Sequence, residues 1–144
     1  MKSRILSKLN PRCSLGQSEE PASVGSINDL KEYSSIIIPE EYLELVNDVT
    51  DVEIGVDGQF HIRIWGPLRI IEMIEAYDVY KYIPTSLAIG DNEGGQALIY
   101  MQGEKGFGIY KSGFGDLDAE DAVWISKDLT SLLVDGEGLD RIPS

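Results

Sequence analysis

Apolar residues are spaced in two different ways along this 144-residue chain. In Leu87–Ile89 and Ala97–Met101 they fall at adjacent positions, which predicts short strands buried on both faces, because successive strand residues point to opposite sides. Between these runs lies Gly90–Gly95, a loop built only of Gly, Asp, Asn and Glu, whose glycines mark sharp turns or positive φ. This stretch predicts a central strand pair on which the other elements pack. Elsewhere the spacing is helical or alternating. Ile70, Ile71, Ile74 and Tyr77 predict a helix over 68–77, and Tyr42, Leu45 and Val46 predict another, opened by Pro39, Glu40 and Glu41. Ser26 or Asn28 caps a short helix through Tyr33.

Alternation over Gln59–Trp65 predicts a strand with Phe60, Ile62 and Ile64 facing the core, and His61, Arg63 and Trp65 on the other face. Asp57-Gly58 joins it to Val52–Val56 as a hairpin turn. Trp65, beside Gly66-Pro67, ends the strand and packs under the next helix. Gly103-Glu104-Lys105-Gly106 turns Ala97–Met101 into Phe107–Lys111, completing a three-strand meander. Val123–Ile125 forms a last strand, Ser126 caps a helix carrying Leu129, Leu132 and Leu133, Gly136 and Gly138 stop it, and Leu139–Ser144 is tail.

Length and an apolar content of 42% predict one folded domain with a core of its own. The longest run of bulky aliphatics is Ile36–Ile38, so no stretch predicts a membrane span. The N-terminal residues lack an apolar signal region, and the single Cys13 forms no disulfide framework or cysteine-based zinc site. These features predict a cytoplasmic protein. Net charge adds more. Twenty-five acids against twelve Lys and Arg give −13. Lys2, Arg4, Lys8 and Arg12 stand in an acid-free opening, so the remainder is more acidic still. Such a body repels nucleic acid and anionic lipid and steers a basic partner inward, although acidity also serves plain solubility. Residues 1–25 read as a basic arm, in which Ile5, Leu6 and Leu9 have the spacing of a short amphipathic helix, followed by a Pro/Gly/Ser-rich linker. They either fold back on the body or form a partly ordered tail, and the composition favours the tail.

Candidate chemistry is sparse. Gly90–Gly95 lacks the Lys-Ser/Thr of a phosphate-binding loop, and Asp91 and Glu93 would repel phosphate. Asp116–Asp121 opens like a calcium loop but has Asp121 where glycine is needed and Lys127 in place of the closing glutamate. Ser112 fails the nucleophile-elbow pattern, and the only histidine, His61, has no triad partners in view. The reading is therefore of a binding module, with no enzymatic activity, no metal and no cofactor. Tyr77, Tyr80 and Tyr82 suit an interface, or they seal a helix against the sheet.

Taken in order, these features resemble the SUKH superfamily, which includes a fungal cell-wall-assembly regulator and many bacterial immunity proteins. The matching pieces are a helix opened by Ile38-Pro39-Glu40-Glu41-Tyr42, the following hairpin and the 68–77 helix. Pro84 ahead of Leu87-Ala88-Ile89-Gly90-Asp91-Asn92-Glu93-Gly94-Gly95 comes next, then Ile125-Ser126 leading into an apolar helix. The resemblance spans about residues 26–138, and Ile89–Gly95 is its most specific part. One departure is Asn47-Asp48, where members often carry Asn-Gly.

The resemblance implies an α+β fold: a curved, mostly antiparallel sheet of about five to six strands packed against three to four helices, with residues 26–144 as one SUKH-like domain. It implies a non-enzymatic immunity protein that neutralises a cognate polymorphic or contact-dependent toxin, often a nuclease. The alternative is a regulatory or scaffold module like the fungal relative, and a small-ligand domain using the glycine loop is a third reading. The expected partner is a toxin with a basic surface, neither nucleic acid nor membrane, bound by a monomer or weak homodimer. The candidate contacts are Asp91, Asn92, Glu93, Asp116, Asp118, Glu120 and Asp121, with Tyr77, Tyr80 and Tyr82 as anchors.

Overall fold

A computed structural model describes residues 3–143. Lys2 of the basic arm and Ser144 of the predicted tail lie outside the described residues. The chain forms an α+β fold around a curled, wholly antiparallel sheet whose strands are ordered in space as in sequence. The strands are β1 (Cys13–Leu15), β2 (Val52–Val56), β3 (Phe60–Ile64), β4 (Ser86–Asp91), β5 (Gln96–Gly103), β6 (Gly106–Gly113) and β7 (Val123–Ser126). The helices are α1 (Arg4–Ser7), α2 (Val24–Tyr33), α3 (Glu40–Val46), α4 (Pro67–Ala76), α5 (Val79–Tyr82) and α6 (Leu129–Leu133), followed by a 3-10 turn at Leu139–Arg141.

Among the described residues the sheet thus has seven strands where five or six are expected, and six α-helices stand in place of three or four. The extra strand and one extra helix come from the N-terminal segment expected to be a tail. Ile5 and Leu6 are buried in the core, and Cys13–Leu15 pairs with Ile54–Val56. Apolar burial and ladder hydrogen bonds outweigh the linker-like composition. Arg4 donates through Nε and Nη2 to the two carboxylate oxygens of Glu44, each at 3.0 Å, and Arg12 bridges Asp57 and Asp140 at 2.6 Å.

β4 and β5 lie in the middle of the sheet, and Leu87–Ile89 and Ala97–Met101 are all buried, as adjacent apolar positions require. At Gly90 the ladder slips by one residue, and a Cβ there would collide with the Arg63 carbonyl, so only glycine lets β3 and β4 close up. α1, α3 and α6 pack together, while α2, α4 and α5 form a second group with α4 on β4. α3 buries Tyr42, Leu45 and Val46 as its spacing predicts.

Three boundaries move. Ser23, not Ser26 or Asn28, caps α2, and the Ser26 hydroxyl bonds back to the Ser23 carbonyl. Ser126 ends β7, and Asp128 caps α6 by accepting from the Ser131 amide at 2.7 Å. The predicted tail carries the 3-10 turn, with Leu139 and Ile142 fully buried. A remote residue completes α6. The Glu41 carboxylate accepts from the amides of Leu129 and Thr130 and from the Thr130 hydroxyl, and takes the Tyr100 hydroxyl at 2.6 Å. Burial first and Glu41 second push the Tyr100 phenol well above its ordinary range.

Candidate binding surface at the acidic end of the sheet

The loop joining β4 to β5 and the loop joining β6 to β7 leave the sheet side by side. Gln96 is paired with Gly113, and the Phe114 amide donates to the Gly95 carbonyl at 3.0 Å. Two of the sequence-predicted clusters, Asp91–Glu93 and Asp116–Asp121, therefore meet at one end of the molecule. Tyr77, which ends α4, joins them: its ring lies 4.5 Å from that of Phe114, which in turn stacks on the buried Trp65 at 6.1 Å.

The first loop keeps most of its polar groups for itself. Asn92 is buried. Its amide nitrogen donates to the Ile142 carbonyl at 2.9 Å, and its Oδ1 accepts from the amides of Gly94 and Gln96. Asp91 accepts the Trp65 indole N–H at 2.9 Å on one oxygen and the Glu93 amide on the other. Amides that would face an anion in a phosphate cradle are thus turned onto the loop's own side chains. Asn92, a candidate contact, is inaccessible to a partner, and Asp91 is half-buried.

Glu93 alone of the three is exposed, on a backbone with φ of 55°. It reaches back over the β2–β3 hairpin, where Glu53 lies directly opposite Arg63. Arg63 Nη2 is 3.2 Å from Glu53 and 3.8 Å from Glu93. Partial burial first, and a hydrogen bond to Glu53 second, push the Glu93 carboxyl up; that same bond holds Glu53 below the usual carboxylate range. Sequence reasoning missed Glu53 and Arg63. A two-residue turn at Asp57-Gly58 would set Glu53 against Ile62, whereas the real register also leaves Gln59 out of the ladder and shifts the pairing by one.

The second loop is built the other way. Leu117 is buried and the Ser112 hydroxyl accepts the Asp118 amide at 3.2 Å, which pins the loop at two points. Asp116, Asp118, Glu120 and Asp121 are all exposed. Phe114, also missed, is an aromatic residue between two glycines, a visible signal for a ring placed where backbones run close.

The remaining tyrosines go elsewhere. Tyr80 stacks on Tyr33 at 5.6 Å and its hydroxyl accepts the Ser35 amide at 3.1 Å. Ser35 in turn bonds Ser86, at the opposite end of β4 from Asp91. Tyr82 is half exposed, with the Lys81 ammonium 5.5 Å above its ring. His61 stands exposed, and Trp65 is buried against Phe114 and the Tyr42 hydroxyl, which donates to its carbonyl.

Among the described residues, no group of His, Cys, Asp and Glu is arranged to hold a metal ion, and no helix is long and apolar enough to cross a membrane. The chain matches no protein-family model and no curated protein.

Proposed function

We propose that this chain is a non-enzymatic binding module: an immunity protein that neutralises a cognate bacterial toxin by covering a basic surface on it. The observation that carries the reading is the acidic end itself. Five exposed carboxylates, Glu93, Asp116, Asp118, Glu120 and Asp121, crowd beside the Tyr77–Phe114 ring pair. Solvent-facing acids steer a cationic protein and set its orientation, while a half-exposed aromatic pair offers rigid apolar area at its centre. A toxin that holds nucleic acid needs a basic surface, so an acidic protein seated there blocks substrate by charge and by bulk. The two loops are anchored by Asn92, Asp91, Ser112 and Leu117, so the acids are presented on a preorganised frame.

The test is co-expression with the product of the neighbouring open reading frame, scored by rescue of growth, followed by binding measured across a salt series. Protection is expected, with affinity falling about tenfold or more between low and high salt, mainly in the association rate. Turnover of a substrate by the purified chain, or salt-insensitive protection, would sink the reading.

A further inference from the structure

Three rings form a column that runs from the core to the surface. Trp65 is buried at its base, with its indole N–H donated to Asp91. Phe114 stacks on Trp65 at 6.1 Å, and Tyr77 covers Phe114 at 4.5 Å. Tyr77 is the last ring and is 42% exposed, so the column ends in an aromatic surface open to solvent. It stands at the C-terminal end of α4, where the helix dipole is negative and a basic side chain is the usual complement. The last turn of α4 contains no basic residue. It carries Glu75 instead, and the exposed Asp78 follows Tyr77. Beyond Phe114, Asp116 is exposed as well. Among the described residues none of these three acids is in an ion pair. Lys81, the nearest cation along the chain, lies over the ring of Tyr82.

We propose that the Tyr77 end of this column is an arginine site: a guanidinium of the basic partner lies on the Tyr77 ring and donates to the carboxylates beside it. The inference rests on the reading of the acidic end given above and names the side chain it takes. The acids and the helix end near this ring share one sign of charge, so the occupant is a cation. Shape and hydration choose between the two cationic side chains. A guanidinium is planar and weakly hydrated, so it continues a stack of flat rings while its in-plane N–H groups reach carboxylates. An ammonium is compact and strongly hydrated, and gives up more water to lie on a ring. The column is also held in place: Tyr77 rests on Phe114, Phe114 on Trp65, and Trp65 is fixed by Asp91. Little ordering is therefore needed on binding. Tyr77 and Asp78 touch the partner, and Asp91 acts through the rings as a positioning residue.

The experiment uses the full chain and two peptides of equal length and charge, oligoarginine and oligolysine, titrated by calorimetry and followed by NMR. Oligoarginine is expected to bind roughly three- to tenfold more tightly than oligolysine. Its side-chain protons are expected to give NOEs to the Tyr77 ring of the unmodified chain. Tyr77→Leu keeps an apolar cover over Phe114 and removes the ring face. It should lower oligoarginine to the affinity of oligolysine, with oligolysine itself unchanged to within about twofold. Tyr77→Phe keeps the ring face and should keep the preference. Equal binding of the two peptides, or oligoarginine NOEs that map away from Tyr77, overturns the arginine site. A Tyr77→Leu variant that weakens both peptides alike, or neither, overturns it too. The NOEs need no variant, so they decide the question even where Tyr77→Leu unfolds. Charge reversal of Asp116, Asp118, Glu120 and Asp121 tests the acidic end separately. Peptides that bind equally and are lost on reversal leave that reading standing and remove the arginine site, whereas binding of neither peptide removes both.

Discussion

Two acidic, glycine-containing loops, Asp91–Gly95 and Gly113–Asp121, lie side by side and are held in different ways. In the first, Asp91 and Asn92 turn inward while Glu93 stays exposed. Asn92 ties the loop to the C-terminal Ile142, and Asp91 holds the indole of Trp65. In the second the acids turn outward, and one leucine and one serine hydroxyl do the anchoring. Both loops make a short carboxylate-to-amide bond, Asp91 with the Glu93 amide and Asp118 with the Glu120 amide, so what sets the first loop apart is its long-range bonds, to the Trp65 indole and the Ile142 carbonyl. Burial of a polar side chain demands partners, and Asn92 finds three at once.

That contrast predicts a graded series of effects. Asn92→Ala strands the Ile142 carbonyl and the Gly94 and Gln96 amides, and should cost about 3 kcal/mol, or roughly 9 °C in Tm, in calorimetry or denaturant unfolding. A variant as stable as the parent would mean the first loop is no more structural than the second. Reversing all four acids of the second loop should leave stability within about 0.5 kcal/mol, while weakening the partner complex about a hundredfold at low salt. Loss of folding instead would show that those carboxylates support the sheet. Asp91→Ala removes the acceptor for the Trp65 indole, and about 2 kcal/mol of destabilisation is expected, with changed Trp fluorescence as the local readout.

The smallest effect concerns pH. Glu93 has its carboxyl pushed up, so it favours the fold while protonated, and that contribution disappears as pH rises through its elevated folded value. Glu53 is shifted down, so its contribution is present above the ordinary carboxylate range and is lost as pH falls. Glu93→Gln keeps a donor for Glu53 and removes the titrating proton. It should flatten the pH dependence of amide exchange around Arg63 and Glu93 in mildly acidic solution, and an unchanged pH profile would remove the coupling.

The N-terminal segment offers the same kind of contrast on a larger scale. Its composition reads as a linker, yet Ile5 and Leu6 enter the core and Cys13–Leu15 closes the sheet edge. Arg4 and Arg12 of this segment pair with Glu44, Asp57 and Asp140. Such exposed pairs orient the segment more than they stabilise it.

The amino-acid order by itself determined the α+β class, the doubly buried strand pair at the centre, the burial face of α3 and the alternation of β3. Each of these depends on spacing of 2.0 or about 3.6 residues, a property that neighbours along the chain carry. Only the tertiary structure decided that Asn92 is buried, that Glu53 faces Arg63, that Glu41 caps α6 and that Tyr77 and Tyr80 serve different ends of the molecule. Those are contacts between residues far apart in the chain, set by a one-residue change of register or by which donor lies nearest in space. Local pattern contains neither.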